Sequence, residues 1–526
     1  MNLNELTRKS SGWLGSIQTF KPSSIFNPAR IILFIFMIIK LLISLLPINY
    51  GIFRDELYFL AMSNRPDFGY VDVPPLAPLL LAANRFLLGD SFFALHLLPA
   101  LSGVLFLWLA YRLVKKLGGN SYALLLILAS VLLAGFCVYA DSTYTYDTFS
   151  KFFWLLFSYL MIRLIQTEKP RYWIYLGIAA GFGLLFKITL LYLVLGWIIG
   201  LLFSKQRKLL WSWEVIGGGA LALLIFSPYL IWQFQHGFIT LDYYHHYISK
   251  VTHFSPLSYL LFQICALNPP TVGVWSVGLY WVIFRPEGRK IRSAGICYLV
   301  IMVFSFLMHA KPDLILPFYG VLLAAGSVWL GNLLGESEQR GWRFAIIAMI
   351  IISGLFSLPM SRPVIPVKFY NRVYGVFSPV TREENNQTSQ LPQILADRFG
   401  WEEMTAKIAK VYRSLPSDEQ AKTCILTGDY GEAGAIEFYG KKYGLPLPPV
   451  SGYYQYHIWG PGRFNGNIVI SIGIPKASLE KLFLTVRTVT FFSHPYIMPH
   501  MNQPIYLCRD PLQPFSKMKP WFKWLD

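Results

Sequence analysis

Apolar runs of membrane length recur along the chain from residue 31 to residue 359, separated by short polar segments. A hydrocarbon core of about 30 Å takes roughly twenty apolar residues in a helix. On that measure the runs predict spans at 31–49, 93–114, 121–139, 146–165, 172–186, 188–203, 212–234, 257–284, 293–308, 313–333 and 343–359. The pattern is that of an α-helical polytopic membrane protein with about eleven transmembrane helices. Asn268, Pro269 and Pro270 interrupt the run at 257–284, which predicts a broken span or a re-entrant pair. After Pro359 the character changes, and 360–526 holds no further run of membrane length. Within it, 423–427, 467–474 and 488–493 read as strands and 401–413 and 431–439 as helices, so a C-terminal α/β domain follows the membrane domain at 31–359. No glycine-rich nucleotide fingerprint stands in that domain, and no dinucleotide is assigned to it.

Charge adds an orientation. Lys and Arg number 46 against 28 Asp and Glu, and their placement decides what that excess means. Arg112, Lys115 and Lys116, then Arg163, Lys169 and Arg171, then Lys205, Arg207 and Lys208, then Arg285, Arg289, Lys290 and Arg292, and finally Arg340 and Arg343 fall in alternate loops. That alternation is the positive-inside bias of cytoplasmic loops. It leaves no basic face for nucleic acid, and no groove-reading motif is present. The segment 1–30, with Arg8, Lys9, Lys21 and Arg30, is predicted cytoplasmic, and the run after it reads as an anchor with no cleavage site. An odd span count then puts the C-terminal α/β domain outside the cytoplasm. Composition agrees with a chain that faces lipid, at 54% hydrophobic and 14% charged residues and a mean hydropathy of +0.45.

Five cysteines show no metal-ligand spacing. Cys137, Cys265 and Cys297 lie in apolar runs as small hydrophobes. Cys424 and Cys508 lie in the tail, where an oxidising compartment leaves a disulfide open.

The acidic residues gather on the predicted outer side. The first outer loop, 50–92, carries Arg54, Asp55 and Glu56 directly after the first span, then Asp72 and Pro74-Pro75 before a short helix. Asp147 heads the fourth span, Lys187 breaks the fifth from the sixth, and Lys311 sits between the ninth and tenth. Ionisable groups at membrane depth are costly and mark functional sites by default. Carboxylates beside lysines suit transfer from a phosphate-linked donor, with a base for the attacking group and cations for the departing phosphate. The neighbouring His236, His245, His246 and His253 include two sequential histidines that do not face one site on a helix, so no metal is assigned and no divalent ion is indicated. Trp232, Phe238, Tyr243 and Tyr244 read as an interfacial aromatic belt, with sugar stacking as the alternative.

The segments RDELYFLA and GYVDVPPL, followed in order by YTYDTFSKFFW, GLLFKITLLYLVLG, WQFQHGFITLDYY, AKPDLILPFYGVLLAAG and LTGDYGEAGAIEFYG, resemble the bacterial branch of glycosyltransferase family 39. That group is related to the dolichyl-phosphate-mannose protein mannosyltransferases and to lipid A aminoarabinose transferase. The resemblance covers most of the chain from about residue 50 to about residue 475. It implies a GT-C type fold and transfer of a sugar from a polyprenyl-phosphate carrier to a lipid, glycan or protein acceptor outside the cytoplasm, with no nucleotide cofactor. By the same analogy Asp55 matches the catalytic base and Glu56 its neighbour that shapes the acceptor site, both in the catalytic group. Arg54, Asp72, Asp147, Lys187 and Lys311 match substrate-binding positions, the two lysines at the carrier phosphate. Two departures stand out: Val73 where the family often has histidine before Pro-Pro, and Ser150 where a second acid often follows the one matched by Asp147. A multi-pass secondary transporter of an envelope precursor is the alternative reading, though no paired repeat is visible and the acids sit at the outer rim. A non-catalytic envelope scaffold is a third.

Overall fold

The computed structural model describes residues 27–46, 50–250, 255–335, 339–375, 389–462, 464, 466–513 and 517, with side chains of 246–250 left aside. Arg8, Lys9, Lys21 and His253, and the side chain of His246, lie outside the described residues.

The membrane part begins with α1 (Pro28–Leu45), α2 (Arg54–Ser63), α3 (Leu76–Leu88) and α4 (Phe92–Lys116), then α5 (Ser121–Leu132), α6 (Gly135–Ala140) and α7 (Tyr146–Thr167). It continues through α8 (Tyr172–Phe186), α9 (Leu190–Leu202), α10 (Trp213–Gln235), α11 (Ile239–Lys250), α12 (Pro256–Ala266) and α13 (Thr271–Phe284). It closes with α14 (Arg292–Leu307), α15 (Tyr319–Leu333), α16 (Arg340–Ser361) and the short α17 (Val367–Tyr374).

Every apolar run read from the sequence is helical, yet they are not eleven equal spans. Among the described residues, seven helices are long and apolar enough to cross a membrane: α1, α4, α7, α10, α16, and α14 and α15 taken with the 3-10 helices that lead into them at Gly288–Ile291 and Pro312–Phe318. An eighth crossing arises if α12 and α13, bent by 106° at the Asn268-Pro270 break, count as one. The runs at 121–139, 172–186 and 188–203 form helices of 12, 15 and 13 residues, with a further six-residue piece in the first. At 1.5 Å per residue these reach about 18–23 Å, short of the hydrocarbon core. Their backbones are instead held inside the protein, where irregular chain is tolerated. Between α8 and α10 the packing is backbone against backbone: a methyl on Gly177 would run into the Gly218 carbonyl, and one on Gly218 into the Trp173 carbonyl.

Where the C-terminal ends of α1 and α6 meet the N-terminal part of α7 lies a fully buried charge cluster. Asp141 pairs with Lys40 and, at 2.6 Å, with Lys151. Lys40 also donates to the Cys137 carbonyl at 3.4 Å and Lys151 to the Thr148 carbonyl at 2.7 Å. Pairing of this kind is what keeps charges tolerable at such depth, and here it ties the first span to the helix that carries Asp147.

The C-terminal part adds α18 (Gln393–Ala396), α19 (Trp401–Arg413), α20 (Ser417–Gln420) and α21 (Tyr430–Tyr443) around five strands: β1 (Thr423–Thr427), β2 (Val450–Ser451), β3 (Ile468–Ile472), β4 (Phe483–Phe492) and β5 (Gln503–Pro511). The sheet order is β2-β1-β3-β5-β4, parallel across β2-β1-β3 and antiparallel across β3-β5-β4. Cys424 is in register with Val469, and Val469 with Cys508. A whole strand thus separates the two cysteines, roughly 9–10 Å at Cα, which is beyond disulfide reach. Both are free and buried.

Candidate active site

The Asp55-Glu56 pair opens α2, where consecutive residues point about 100° apart. That turn sends the two acids to different places. Glu56 enters the core with no exposure. Its carboxylate caps its own helix by accepting from the Phe53 amide at 3.0 Å and reaches across to the Tyr144 amide at 2.7 Å. His96 of α4 lies 3.0 Å away and the Arg398 guanidinium 3.8 Å away. Burial acts to raise the Glu56 pKa, but His96, Arg398 and the Tyr144 amide together hold it below the ordinary glutamate range. With both oxygens occupied by protein donors and no exposure, Glu56 faces the protein interior and is not among the residues that line the cavity described below.

Asp55 points the other way, and its side chain is 39% exposed. The Tyr430 hydroxyl, from the first residue of α21, donates to it at 2.8 Å. Tyr430 is held there by close helix packing, since a methyl on Gly434 would lie 2.8 Å from the Leu57 carbonyl carbon. Glu437 secures the far end of the same helix pair by accepting from Asn64 at 2.9 Å and Arg65 at 3.1 Å. Arg54 does not reach into a cavity. Its side chain is 3.4 Å from the Asp397 carboxylate and 3.9 Å from Asp55, its guanidinium lies 5.2 Å from the Tyr430 ring centre, and its amide donates to the Asp397 carbonyl. Arg54 thus contacts the C-terminal part through Asp397 and Tyr430 and lies beside Asp55.

Asp72, Lys187 and Lys311 line one cavity of 190 Å³. Asp147 holds Lys187 in it through a 2.6 Å ion pair, while the Lys187 ammonium lies 4.6 Å from the Tyr146 ring centre. The α8–α9 break read from Lys187 is real: Phe186 ends one helix, Leu190 begins the next, and Lys187 is extended between them. Asp72 accepts from the Tyr58 hydroxyl at 2.9 Å, and that hydroxyl in turn accepts from the Gln455 amide at 3.1 Å. Burial pushes the Asp72 pKa up to about 7 against the Tyr58 hydrogen bond, and the charge of Asp55 adds to the rise. Asp55 itself is not among the lining residues, although its charge acts on Asp72, which is.

Sequence reasoning missed Asp313, which lines the cavity two residues after Lys311. It also placed Tyr243 and Tyr244 in an interfacial belt, whereas both line the cavity with Tyr146 and Tyr192. Of those residues only Tyr146 carried a signal, because YTYD heads a span and already held Asp147. Of the departures, Val73 is buried in the loop and Ser150 is buried in α7, so neither reaches the cavity. Among the described residues no group of three or more metal-ligating side chains converges.

Residues 72–232 match the family described as dolichyl-phosphate-mannose-protein mannosyltransferase. The crystal structure of ArnT from Cupriavidus metallidurans in the apo state superposes with a TM-score of 0.60 at 16% identity, over 91% of this chain and 98% of that one. The chain has the GT-C fold. A second structure of that ArnT, bound to undecaprenyl phosphate, gives a TM-score of 0.56 at 15% identity over 91% and 97% of the two chains. No curated protein matches. The resemblance drawn from the first loop onward is thus borne out. The family match includes Asp72, Asp147 and Lys187 and leaves Arg54, Asp55, Glu56 and Lys311 to the GT-C architecture.

Proposed function

We propose that this GT-C protein is a glycosyltransferase that takes a sugar from a polyprenyl-phosphate carrier and passes it to an acceptor on the outer side of the membrane. The observation that carries the reading is the 190 Å³ cavity lined by Lys187, Lys311 and Asp72, with the charge of Asp55 acting on Asp72. The ArnT structure with undecaprenyl phosphate supports the carrier class. An acceptor hydroxyl or amine attacks the anomeric carbon as the carbon–oxygen bond to phosphate breaks, its proton passes to Asp55, and the carrier leaves as a phosphate. Lys187 and Lys311 stabilise the charge that grows on that phosphate. Asp72, ionising near neutrality, accepts a hydrogen bond from a sugar hydroxyl. No nucleotide takes part, and because two lysines supply the charge a divalent ion would offer, transfer is expected to persist in chelator.

The cytoplasmic assignment of the N-terminus and the outward placement of 360–526 belong to the same proposal, as they put the donor cavity and the C-terminal part on one side. Transfer of radiolabelled sugar from a panel of polyprenyl-phosphate donors, by the full chain in lipid, tests it. Turnover lost in Asp55→Asn and Lys311→Ala, with folding retained, is the expected result. Wild-type turnover in Asp55→Asn would remove the proposed base, and substrate uptake into vesicles without any transfer would favour a transporter.

A further inference from the structure

A second cavity, of 620 Å³, opens between the first turns of α1 and the last turns of α4. Because α1 runs 18 residues, about 27 Å, from its start toward the first loop, the cavity lies at the end of that helix away from the candidate active site, and so toward the opposite membrane face. Four cations line it, Arg30, Arg112, Lys115 and Lys116, and no carboxylate does. Their positions are fixed by aromatic rings beneath them: the Arg112 guanidinium is 5.3 Å from the Trp108 ring centre and the Lys115 ammonium 5.6 Å from that of Tyr111.

One further feature separates this place from an ordinary cluster of loop charges. Below the cations, Leu101, Leu105 and Trp108 follow one another at helical spacing with 37–47% exposure, ending at Arg112 one turn on. Phe34 and Ile38 of α1 flank them, at 63% and 40% exposure. The arrangement is a cationic, aromatic head above an apolar seam.

We infer that this cavity binds an anionic glycerophospholipid of the leaflet opposite the active site, with the headgroup phosphate at Arg112 and Lys115 and the acyl chains along the α1–α4 seam. Charge complementarity selects an anionic over a zwitterionic headgroup, and the aromatic floor and seam select a lipid over a free anion. The bound lipid fills the space between α1 and the rest of the bundle, where α1 otherwise presents much of its surface outward. The inference does not depend on the transfer reaction.

The test is lipid binding by the purified, delipidated full chain, followed by native mass spectrometry and by thermal denaturation during titration with phosphatidylglycerol or phosphatidylcholine. Phosphatidylglycerol is expected to bind and raise the melting temperature, with phosphatidylcholine at least tenfold weaker. The Arg112→Ala, Lys115→Ala double variant should lose at least tenfold in phosphatidylglycerol affinity. Arg285→Ala with Arg289→Ala, at a basic loop away from the cavity, should bind as wild type. Equal affinity for the two lipids in wild type, an equal loss in the Arg285 and Arg289 control, or binding of inorganic phosphate as tight as that of the lipid would each overturn the proposal.

Discussion

Replacing Glu56 by glutamine removes one charge and one acceptor from a site where every neighbour donates. The carboxylate receives the Phe53 amide on one oxygen and the Tyr144 amide on the other, with His96 and Arg398 completing the shell. A glutamine carries a single acceptor oxygen, so its NH2 group must face one of the two amides, and Arg398 and His96 lose their anion. Breaking a fully buried pair from one side costs roughly 3–5 kcal/mol. The loss should appear as a fall of roughly 5 °C or more in melting temperature, measured in detergent by thermal shift. Transfer kinetics on the same preparation should show a lower kcat with the donor KM near wild type, since Glu56 touches no substrate. Combination with Arg398→Ala should be strongly non-additive. A Glu56→Gln protein with an unchanged melting temperature and abolished transfer would refute the reasoning and return Glu56 to the reacting groups.

Other consequences can be measured separately. Tyr430→Phe removes the hydroxyl that orients Asp55, so kcat should fall about tenfold with folding and donor KM preserved; an unchanged kcat would detach the C-terminal part from the chemistry. Lys187→Ala should raise the donor KM roughly ten- to hundredfold, the range for one hydrogen bond to a charged group, and Asp147→Asn should do much less. Because the Asp72 pKa is raised to about 7, its contribution to stability is present below the ordinary carboxylate range and lost as pH rises through about 7. Wild type should therefore lose stability relative to Asp72→Asn between pH 5 and 8, and a constant difference would count against the buried assignment.

The membrane domain was legible because lipid imposes one simple demand, a long apolar run for each helix, and basic clusters mark alternate ends. The demand fails where protein replaces lipid as the surroundings. At α8 and α9 the runs stop short, since Lys187 has to reach the cavity between them. In the C-terminal part β1, β3, α19 and α21 were readable from periodicity, but β5 was not. Pro504, Arg509 and Asp510 break its apolar pattern, although it sits inside the sheet between β3 and β4. In the site, Asp72, Asp147, Lys187 and Lys311 stood out as charges beside apolar runs. Arg398 did not, because its meaning comes only from Glu56, 342 positions away, and the sequence held no sign that Tyr430 meets Asp55, 375 positions away. Glu56 looked like a twin of Asp55 in one dimension and is its opposite in three.

The contact between Asp55 and Tyr430 also orders events during synthesis. At the usual pace of translation, about 20–75 s pass between the appearance of these two residues, which are 375 positions apart. Through that interval the bundle is inserting while its proposed base lacks the side chain that orients it. Competence therefore arrives with the last quarter of the polypeptide, after the spans are in place, and a chain released early is a membrane protein without a finished centre.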